Sequence, residues 1–285
     1  MKRLNQILAL SLGVIVMACG GAKEEEHHES ADSTPTVVKD TTPITVNEET
    51  KFKFDFAIAN IPSPVGAVNE ISNWGVDYDN SLLLDTKKSS TYNNEFIKAV
   101  TLGIYNIDLS YAMLNNKGED VMKLLKTTMV QADALGLKGA LDQMVGKRAE
   151  QNISNRDSLL KILDEIFVKS DSYLRNNERV YTASILFAGT WVEGLYLTCK
   201  VAEKVSDNAV KAKAYKHVWD QRFYLSNLMT LLDDYKTKKE TADLNAEFKK
   251  IHEEISAIKD DKEMDDAKFK SIAGKIIALR EKLTK

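Results

Sequence analysis

The sequence predicts an all-α protein, a multi-helix bundle of antiparallel helical hairpins that follows a disordered tether and ends in a coiled-coil-like hairpin. Three observations support this fold class. All 4 prolines lie at or before position 64, so no proline interrupts a helix in the rest of the chain. Apolar side chains recur at spacings of three and four over long stretches. Capping residues precede many of these stretches, and glycine or asparagine follows them.

The first elements of the globular part differ from the rest. Phe52, Phe54 and Phe56 alternate with polar residues, which predicts an extended entry segment. Ser63 followed by Pro64 predicts a helix start, and Gly75 predicts its end. After Gly75 almost everything is expected to be helical, with predicted helices over 94–115, 119–135, 138–151, 156–175, 178–204 and 207–235. The helix over 178–204 is apolar on most faces, so it is expected to be central.

The last two predicted helices carry the most regular apolar pattern. Each pattern is a seam of alternating four- and three-residue spacings. The two sets are Leu244, Phe248, Ile251, Ile255 and Ile258, and then Phe269, Ile272, Ile276, Leu279 and Leu283. The charged stretch 259–266 between them is short, which predicts an antiparallel hairpin. This hairpin either closes the body of the bundle or projects as an arm that binds a partner.

The N-terminus has the features of an export signal. Lys2 and Arg3 precede a short apolar core that is shorter than a membrane-spanning helix requires. The segment Val16-Met17-Ala18-Cys19 resembles a bacterial lipobox. This resemblance implies that Cys19 becomes the mature N-terminus and carries acyl chains such as palmitate, which anchor the protein to a membrane.

The segment after the cysteine bears on the predicted cellular location of the protein. It is rich in Glu, Ser, Thr and Asp and has few large apolar residues, so it is expected to be disordered. Lys23-Glu24-Glu25-Glu26 resembles the tether of surface-exported lipoproteins, and the alternative is a solvated acidic spacer that faces the periplasm. The predicted parts are a signal peptide (1–18), a lipidated acidic tether (19–50), a helical bundle (51–235) and the C-terminal hairpin (236–285).

Charge and composition argue against several classes of function. The net charge is −3, and no basic cluster with interleaved aromatic residues occurs, so no nucleic-acid partner is expected. If Cys19 carries lipid, Cys199 has no disulfide partner, and it is expected to be a small buried apolar residue. The sequence contains no glycine-rich phosphate loop, no HExxH motif and no Ser-His-Asp order. We therefore predict no cofactor, no metal and no catalytic residue.

Two segments with glycine inside an apolar helix supply the candidate site. Each has an aromatic residue two positions after the glycine, then an acid and a tyrosine. Glycine inside a helix costs about 1 kcal/mol relative to alanine and usually marks close packing or the approach of a ligand. The 86-residue offset between Gly103 and Gly189 suggests an old duplication. The candidate ligand-binding residues are Tyr105, Asp108, Tyr111, Trp191, Glu193 and Tyr196.

Three interpretations of the two acids remain open at the level of sequence. Asp108 and Glu193 are structural, satisfied by a tyrosine hydroxyl, by an arginine such as Arg179 or Arg222, or by a helix N-terminus. Alternatively they line a binding cleft with the four aromatic residues. In the third interpretation they form the acid/base pair of an enzyme.

Four segments carry a resemblance to a known family. "IPSPVGAVNEI", "LGIYNIDLSYAML", "NRDSLLKIL" and "GTWVEGLYL" resemble segments of an uncharacterised family of helical lipoproteins from Bacteroidota, over roughly Phe54 to Lys204. The resemblance implies an all-helical domain behind a lipid anchor and brings no activity, ligand or catalytic residues. The sequence therefore predicts a non-catalytic binding module on the outer membrane, exposed at the cell surface or facing the periplasm. Its expected partner is an envelope protein, a peptide or a glycan, and the alternative is a hydrolase or metal-assisted enzyme that uses Asp108 and Glu193.

Overall fold

The computed structural model describes residues 48–60, 64–137 and 179–285, together with isolated positions between 147 and 165. The predicted all-α, multi-helix class is confirmed, because the described residues form helices and contain no strand. The longer helices are α1 (Glu48–Asn60), α2 (Pro64–Asn69), α3 (Glu95–Leu114), α4 (Gly118–Ala134), α5 (Val180–Ala202), α6 (Asn208–Asp233), α7 (Lys239–Ala257) and α8 (Asp266–Leu283). The described residues belong to one compact unit.

Several sequence predictions fall beyond this part of the chain. The predicted signal peptide, Cys19 and nearly all of the tether lie outside the described residues. The helices predicted over 138–151 and 156–175 fall in a stretch of which only isolated positions are described. Among the described helices, none is both long and apolar enough to cross a membrane.

The prediction of an extended entry at Phe52–Phe56 is wrong, because these residues lie within helix α1. The helix also includes 48–50, which the sequence assigned to the tether. Phe54 is fully buried, whereas Phe52 and Phe56 are 70% and 54% exposed. Successive helical residues are separated by about 100°, so alternate positions do not share one face. The alternating phenylalanines therefore do not belong to a strand with one buried face.

The segment between Gly75 and α3 precedes the first helix that the sequence predicted after Gly75, which was expected to begin at 94. It is a loop with two 3₁₀ turns, Asn80–Leu82 and Thr86–Thr91. The carboxylate of Asp79 accepts a hydrogen bond from the Ser81 backbone N–H, and that of Asp85 accepts one from Lys87. Such side-chain to backbone bonds favour turns over longer helices. The loop leaves Leu82 and Leu84 against the core, where their backbone groups are available to other side chains.

Helix α5 is the central helix, as the sequence predicted. All of its residues except Tyr181 and Lys200 are buried. The helix is predominantly apolar, and three of its buried hydroxyl groups donate to the carbonyl oxygen four residues earlier, those of Ser184, Thr190 and Thr198. These bonds satisfy polar groups that would otherwise be costly in the interior.

Helices α3 and α5 cross at their two glycines. With alanine in place of Gly189, the added Cβ would lie 2.0 Å from the carbonyl oxygen of Val100, and with alanine in place of Gly103 it would lie 2.1 Å from that of Leu186. Only a hydrogen in place of Cβ permits this approach. The Glu95 carboxylate also accepts a hydrogen bond from the Thr182 hydroxyl near the start of α5, so the two helices run in the same direction. The residues that follow each glycine therefore come together.

Helices α7 and α8 run in opposite directions. Lys275 pairs with Glu254, and Lys282 pairs with Glu247 at 3.2 Å. Every residue of the two predicted apolar seams is buried. The ring of Phe248 in α7 contacts the edge of Trp191 in α5 at a centroid distance of 5.2 Å, and α8 also packs on α5. Both α7 and α8 therefore contact the central helix.

Candidate functional site

The two predicted acids meet an arginine in the interior. The Arg280 side chain of α8 donates two hydrogen bonds to Glu193 of α5, from Nε to Oε2 and from Nη2 to Oε1, each at 3.0 Å. Its Nη2 also donates to the carbonyl oxygen of Leu82 at 3.3 Å. The guanidinium carbon lies 4.6 Å from the centre of the Tyr196 ring. This two-point pairing is the strongest geometry available between arginine and a carboxylate.

Asp108 of α3 completes the cluster. Its Oδ2 accepts a hydrogen bond from the backbone N–H of Leu84 at 2.8 Å, which fixes the loop before α3 against the helix. Its carboxyl group also lies beside that of Glu193, so each carboxyl group influences the pKa of the other. Neither Asp108 nor Glu193 has any exposed surface. We call Asp108, Glu193 and Arg280, whose side chain is 12% exposed, the buried triad.

The electrostatics of the buried triad follow from burial and from its charge count. Burial raises the pKa of Asp108 well above its usual range, and the neighbouring Glu193 raises it further. Burial also raises the pKa of Glu193, although the charge and hydrogen bonds of Arg280 oppose this rise. For Arg280 burial acts to lower the pKa, but the charge of Glu193 outweighs it, and the net pKa is raised. Arg280 is therefore fully charged.

The partner of the acids is not one of the arginines that the sequence suggested. Arg179 donates to Glu95 at 3.0 Å and to the carbonyl oxygen of Leu135. Arg222 lies over the ring of Trp219, with its guanidinium carbon 3.2 Å from the ring centre. Arg280 was missed, although it lies four residues after Ile276 and three before Leu283, beside the apolar seam. The signal in the sequence that could have identified this partner was a cation at the edge of a buried apolar stripe.

The four aromatic candidates have different neighbours in the structure. Tyr196 lies against Arg280, and Tyr105 lies one turn before Asp108 and donates to the carbonyl oxygen of Asp85 at 3.0 Å. The Tyr111 hydroxyl instead accepts a hydrogen bond from the Asp79 backbone N–H. Trp191 contacts Phe248 on the side of α7. All six candidate residues are buried, so they do not line an open surface cleft in this structure.

A cavity of about 450 Å³ opens on another part of the described surface, between the start of α3 and helices α7 and α8. Its buried apolar residues are Tyr92, Leu244, Leu279 and Leu283, and Phe96 and Ile97 are partly exposed within it. Its charged residues are Glu240, Asp243, Glu247, Lys282 and Lys285. An apolar floor with a few charged groups is the usual lining of a site for a small ligand or a peptide side chain. The sequence did not predict this cavity, because its residues come from three separate elements.

Cys199 is fully buried, as predicted, and burial raises the pKa of its thiol. A buried thiol of raised pKa is chemically inert, so Cys199 serves packing. Within the part of the chain that the structure describes, no group of three or more His, Cys, Asp or Glu side chains is arranged to hold a metal ion.

The fold and the site define an all-α helical domain in which two buried carboxyl groups meet an arginine whose side chain is 12% exposed, and in which a cavity opens on another part of the described surface. Comparisons of the chain with models of protein families, with curated proteins and with solved structures found no match.

Proposed function

We propose that this protein is a lipid-anchored binding module of the cell envelope that performs no catalysis. The observation that carries the proposal is the cavity between α3, α7 and α8, which combines an apolar floor with carboxylates and lysines. A cavity of about 450 Å³ accommodates a peptide side chain with its flanking backbone, or a small glycan. The lipid on Cys19 would hold this cavity at the outer membrane, in line with the Bacteroidota lipoprotein resemblance.

The charges of the cavity favour a ligand with a cationic or hydroxyl group beside an apolar one. Lys282 is already paired with Glu247 at 3.2 Å, and Asp243 is paired with Lys239 at 2.5 Å. The carboxylates of Glu240 and Asp243 lie on exposed residues at the edge of the cavity, where a ligand can reach them. The pKa of Asp243 is held below its usual range by the adjacent Lys239, so this group is ionised at neutral pH. Ionised carboxylates accept charge-assisted hydrogen bonds from ammonium or hydroxyl donors.

A ligand screen with a charge-removing variant tests the cavity. The full chain in detergent is screened by thermal unfolding against peptides, sugars and metal ions, because a ligand at 100 times its Kd stabilises by about 2.7 kcal/mol. In the double variant Glu240→Gln, Asp243→Asn, we expect the affinity for a hit to fall about tenfold or more, since a hydrogen bond to a charged group contributes roughly 1.5–3 kcal/mol.

Glu253→Gln is the matched control for this screen. Glu253 is another exposed carboxylate of α7 that does not line the cavity, so its substitution should leave the affinity unchanged. Equal affinity for the wild type and the Glu240, Asp243 variant would contradict the placement of the ligand in this cavity.

Fractionation of a Cys19→Ala variant tests the anchor. Without the thiol no acyl chain can be attached, and two or more chains are needed for stable membrane binding. We expect the variant to appear as a soluble form or as an uncleaved precursor, whereas the wild type partitions into the detergent phase. A Cys199→Ala variant, which removes the buried thiol, should partition as the wild type does. Detergent partitioning of Cys19→Ala as a normal mature form would contradict lipidation.

An envelope hydrolase or metal-assisted enzyme that uses Asp108 and Glu193 is the alternative. Catalysis by these residues requires that a substrate reach their carboxyl groups. Both groups are fully buried, and Glu193 is held on two sides by Arg280. For this reason we assign the two acids to the architecture of the domain and the ligand to the cavity.

A further inference from the structure

The buried triad contains two carboxyl groups and one guanidinium, so its charges do not balance if both acids are ionised. Glu193 receives two hydrogen bonds from Arg280. Asp108 receives one, from the Leu84 N–H to Oδ2, and its Oδ1 is buried without an N–H or O–H donor in the described structure. The charged group of α5 beside Asp108 is the carboxyl group of Glu193, which has no exposed surface either. Contact between two carboxyl groups is attractive only when one of them carries a proton.

We propose that the buried triad is a proton-binding site. At neutral pH Asp108 is a neutral carboxylic acid whose O–H donates a hydrogen bond to the Glu193 carboxylate. The loss of this proton at higher pH weakens the attachment of α8 and of the loop at Leu82–Leu84 to the core. When Asp108 is protonated, the cluster contains one anion, Glu193, and one cation, Arg280. An electrically neutral cluster is the arrangement that a largely buried site tolerates at lowest cost.

The distribution of donors places the proton on Asp108 rather than on Glu193. A carboxylate that receives two charge-assisted hydrogen bonds is stabilised in its ionised form, and this describes Glu193. Asp108 has one backbone donor and lies beside the negative charge of Glu193, so its neutral form is favoured. The raised pKa of Asp108, caused first by burial and then by Glu193, agrees with this placement.

The other groups that face the triad do not supply a competing charge. Three tyrosines surround the triad: Tyr92 of the loop before α3, Tyr105 of α3 and Tyr196 of α5. Burial raises the pKa of each of these phenols. All three are therefore neutral at physiological pH. Asp85 contributes its backbone carbonyl, which accepts a hydrogen bond from the Tyr105 hydroxyl. The charges within the cluster are thus those of Glu193 and Arg280, with Asp108 as the group that titrates.

The direction of the pH dependence follows from the raised pKa of Asp108 in the folded state. The folded protein binds this proton more tightly than the unfolded chain, in which an aspartate has a pKa near 3.8. The stabilisation is therefore fully present below the unfolded pKa and is lost progressively as the pH rises towards the folded pKa. In this window the titration of Asp108 should increase the unfolding equilibrium constant of the protein about tenfold per pH unit.

The protonation state can be read directly from the carboxyl ¹³C resonance of Asp108, assigned in the labelled full chain by comparison with Asp108→Asn. We expect the position of a neutral acid at pH 7. Asp79 is an internal reference, because hydrogen bonds from Lys204 and Ser81 lower its pKa to about 2, and it should resonate as a carboxylate. A carboxylate position for Asp108 at pH 7 would overturn the proposal.

Two variants test the consequences of the shared proton. Asp108→Asn keeps the shape and cannot ionise, so the ratio of wild-type to variant unfolding constants should rise with pH above about 4, whereas the ratio for Asp79→Asn should stay constant between about pH 5 and 9. In Glu193→Gln, Asp108 becomes the partner of Arg280, and its carboxyl resonance should move to the carboxylate position at pH 7. A flat ratio for Asp108→Asn, or a neutral Asp108 in Glu193→Gln, would contradict a proton held between the two carboxyl groups.

Discussion

Replacing Arg280 with methionine should lower the free energy of unfolding by about 3–5 kcal/mol, because it leaves the ionised Glu193 in the core without its partner. Glu193 has no exposed surface, and Arg280 is its two-point donor at 3.0 Å for both bonds. Methionine fills a similar volume, so the loss reports the uncompensated charge rather than a cavity. Urea unfolding of the full chain at pH 7 measures the difference.

Two further variants separate this effect from general damage to α8. Lys282→Met changes a cation two residues later whose partner, Glu247, is partly exposed, and it should cost less than about 1 kcal/mol. Combining Arg280→Met with Glu193→Gln removes the unpaired charge and should restore much of the lost stability, since a buried ion pair contributes less than the cost of breaking it. A small loss in Arg280→Met, equal to that in Lys282→Met, would show that Glu193 is not ionised in the core.

Replacing Gly189 with alanine should cost about 3 kcal/mol or more, because α3 and α5 cannot approach each other with a methyl group between them. The added Cβ would lie 2.0 Å from the carbonyl oxygen of Val100 and 3.0 Å from its Cα. All of these contacts are with backbone, so no side-chain rotation can relieve them, and the helices must separate. Thermal and urea unfolding of the full chain measure the loss.

Gly274→Ala is the matched control for this prediction. Gly274 also lies inside a helix, α8, and an added Cβ there would meet nothing within 4 Å. Alanine at such a position should stabilise the protein by about 0.5–1 kcal/mol, since it reduces the entropy lost on folding. If Gly189→Ala were as stable as Gly274→Ala, the crossing of α3 and α5 would not depend on the absence of a side chain.

The close crossing also explains why the two acids come together. In each helix the acid follows the glycine by about one turn, at Asp108 after Gly103 and at Glu193 after Gly189. Because α3 and α5 run in the same direction and touch at these glycines, the two carboxyl groups arrive on facing sides of the interface. The glycine and the acid of each segment therefore lie at corresponding places along the interface between the two helices.

The sequence predicted the helices well where local signals are strong. Asn94 was expected to begin a helix, and its side chain accepts a hydrogen bond from the Ile97 N–H at the start of α3. Asp207 similarly caps α6. The prediction failed at α1, where alternating phenylalanines favoured a strand. A short segment with two large exposed apolar side chains carries too little periodicity to distinguish the two structures.

The sequence by itself determined the all-α class, the bounds of most described helices, the central position of α5 and the burial of both C-terminal seams. These features depend on capping, spacing and apolar content, which act within a few residues along the chain. Only the tertiary structure decided that Asp108 and Glu193 are buried together, that Arg280 of α8 is their partner, and that a cavity forms where α3, α7 and α8 meet. Charge pairing and cavity formation depend on distance in space, and residues far apart in sequence carry no local signal of the neighbour that folding brings to them.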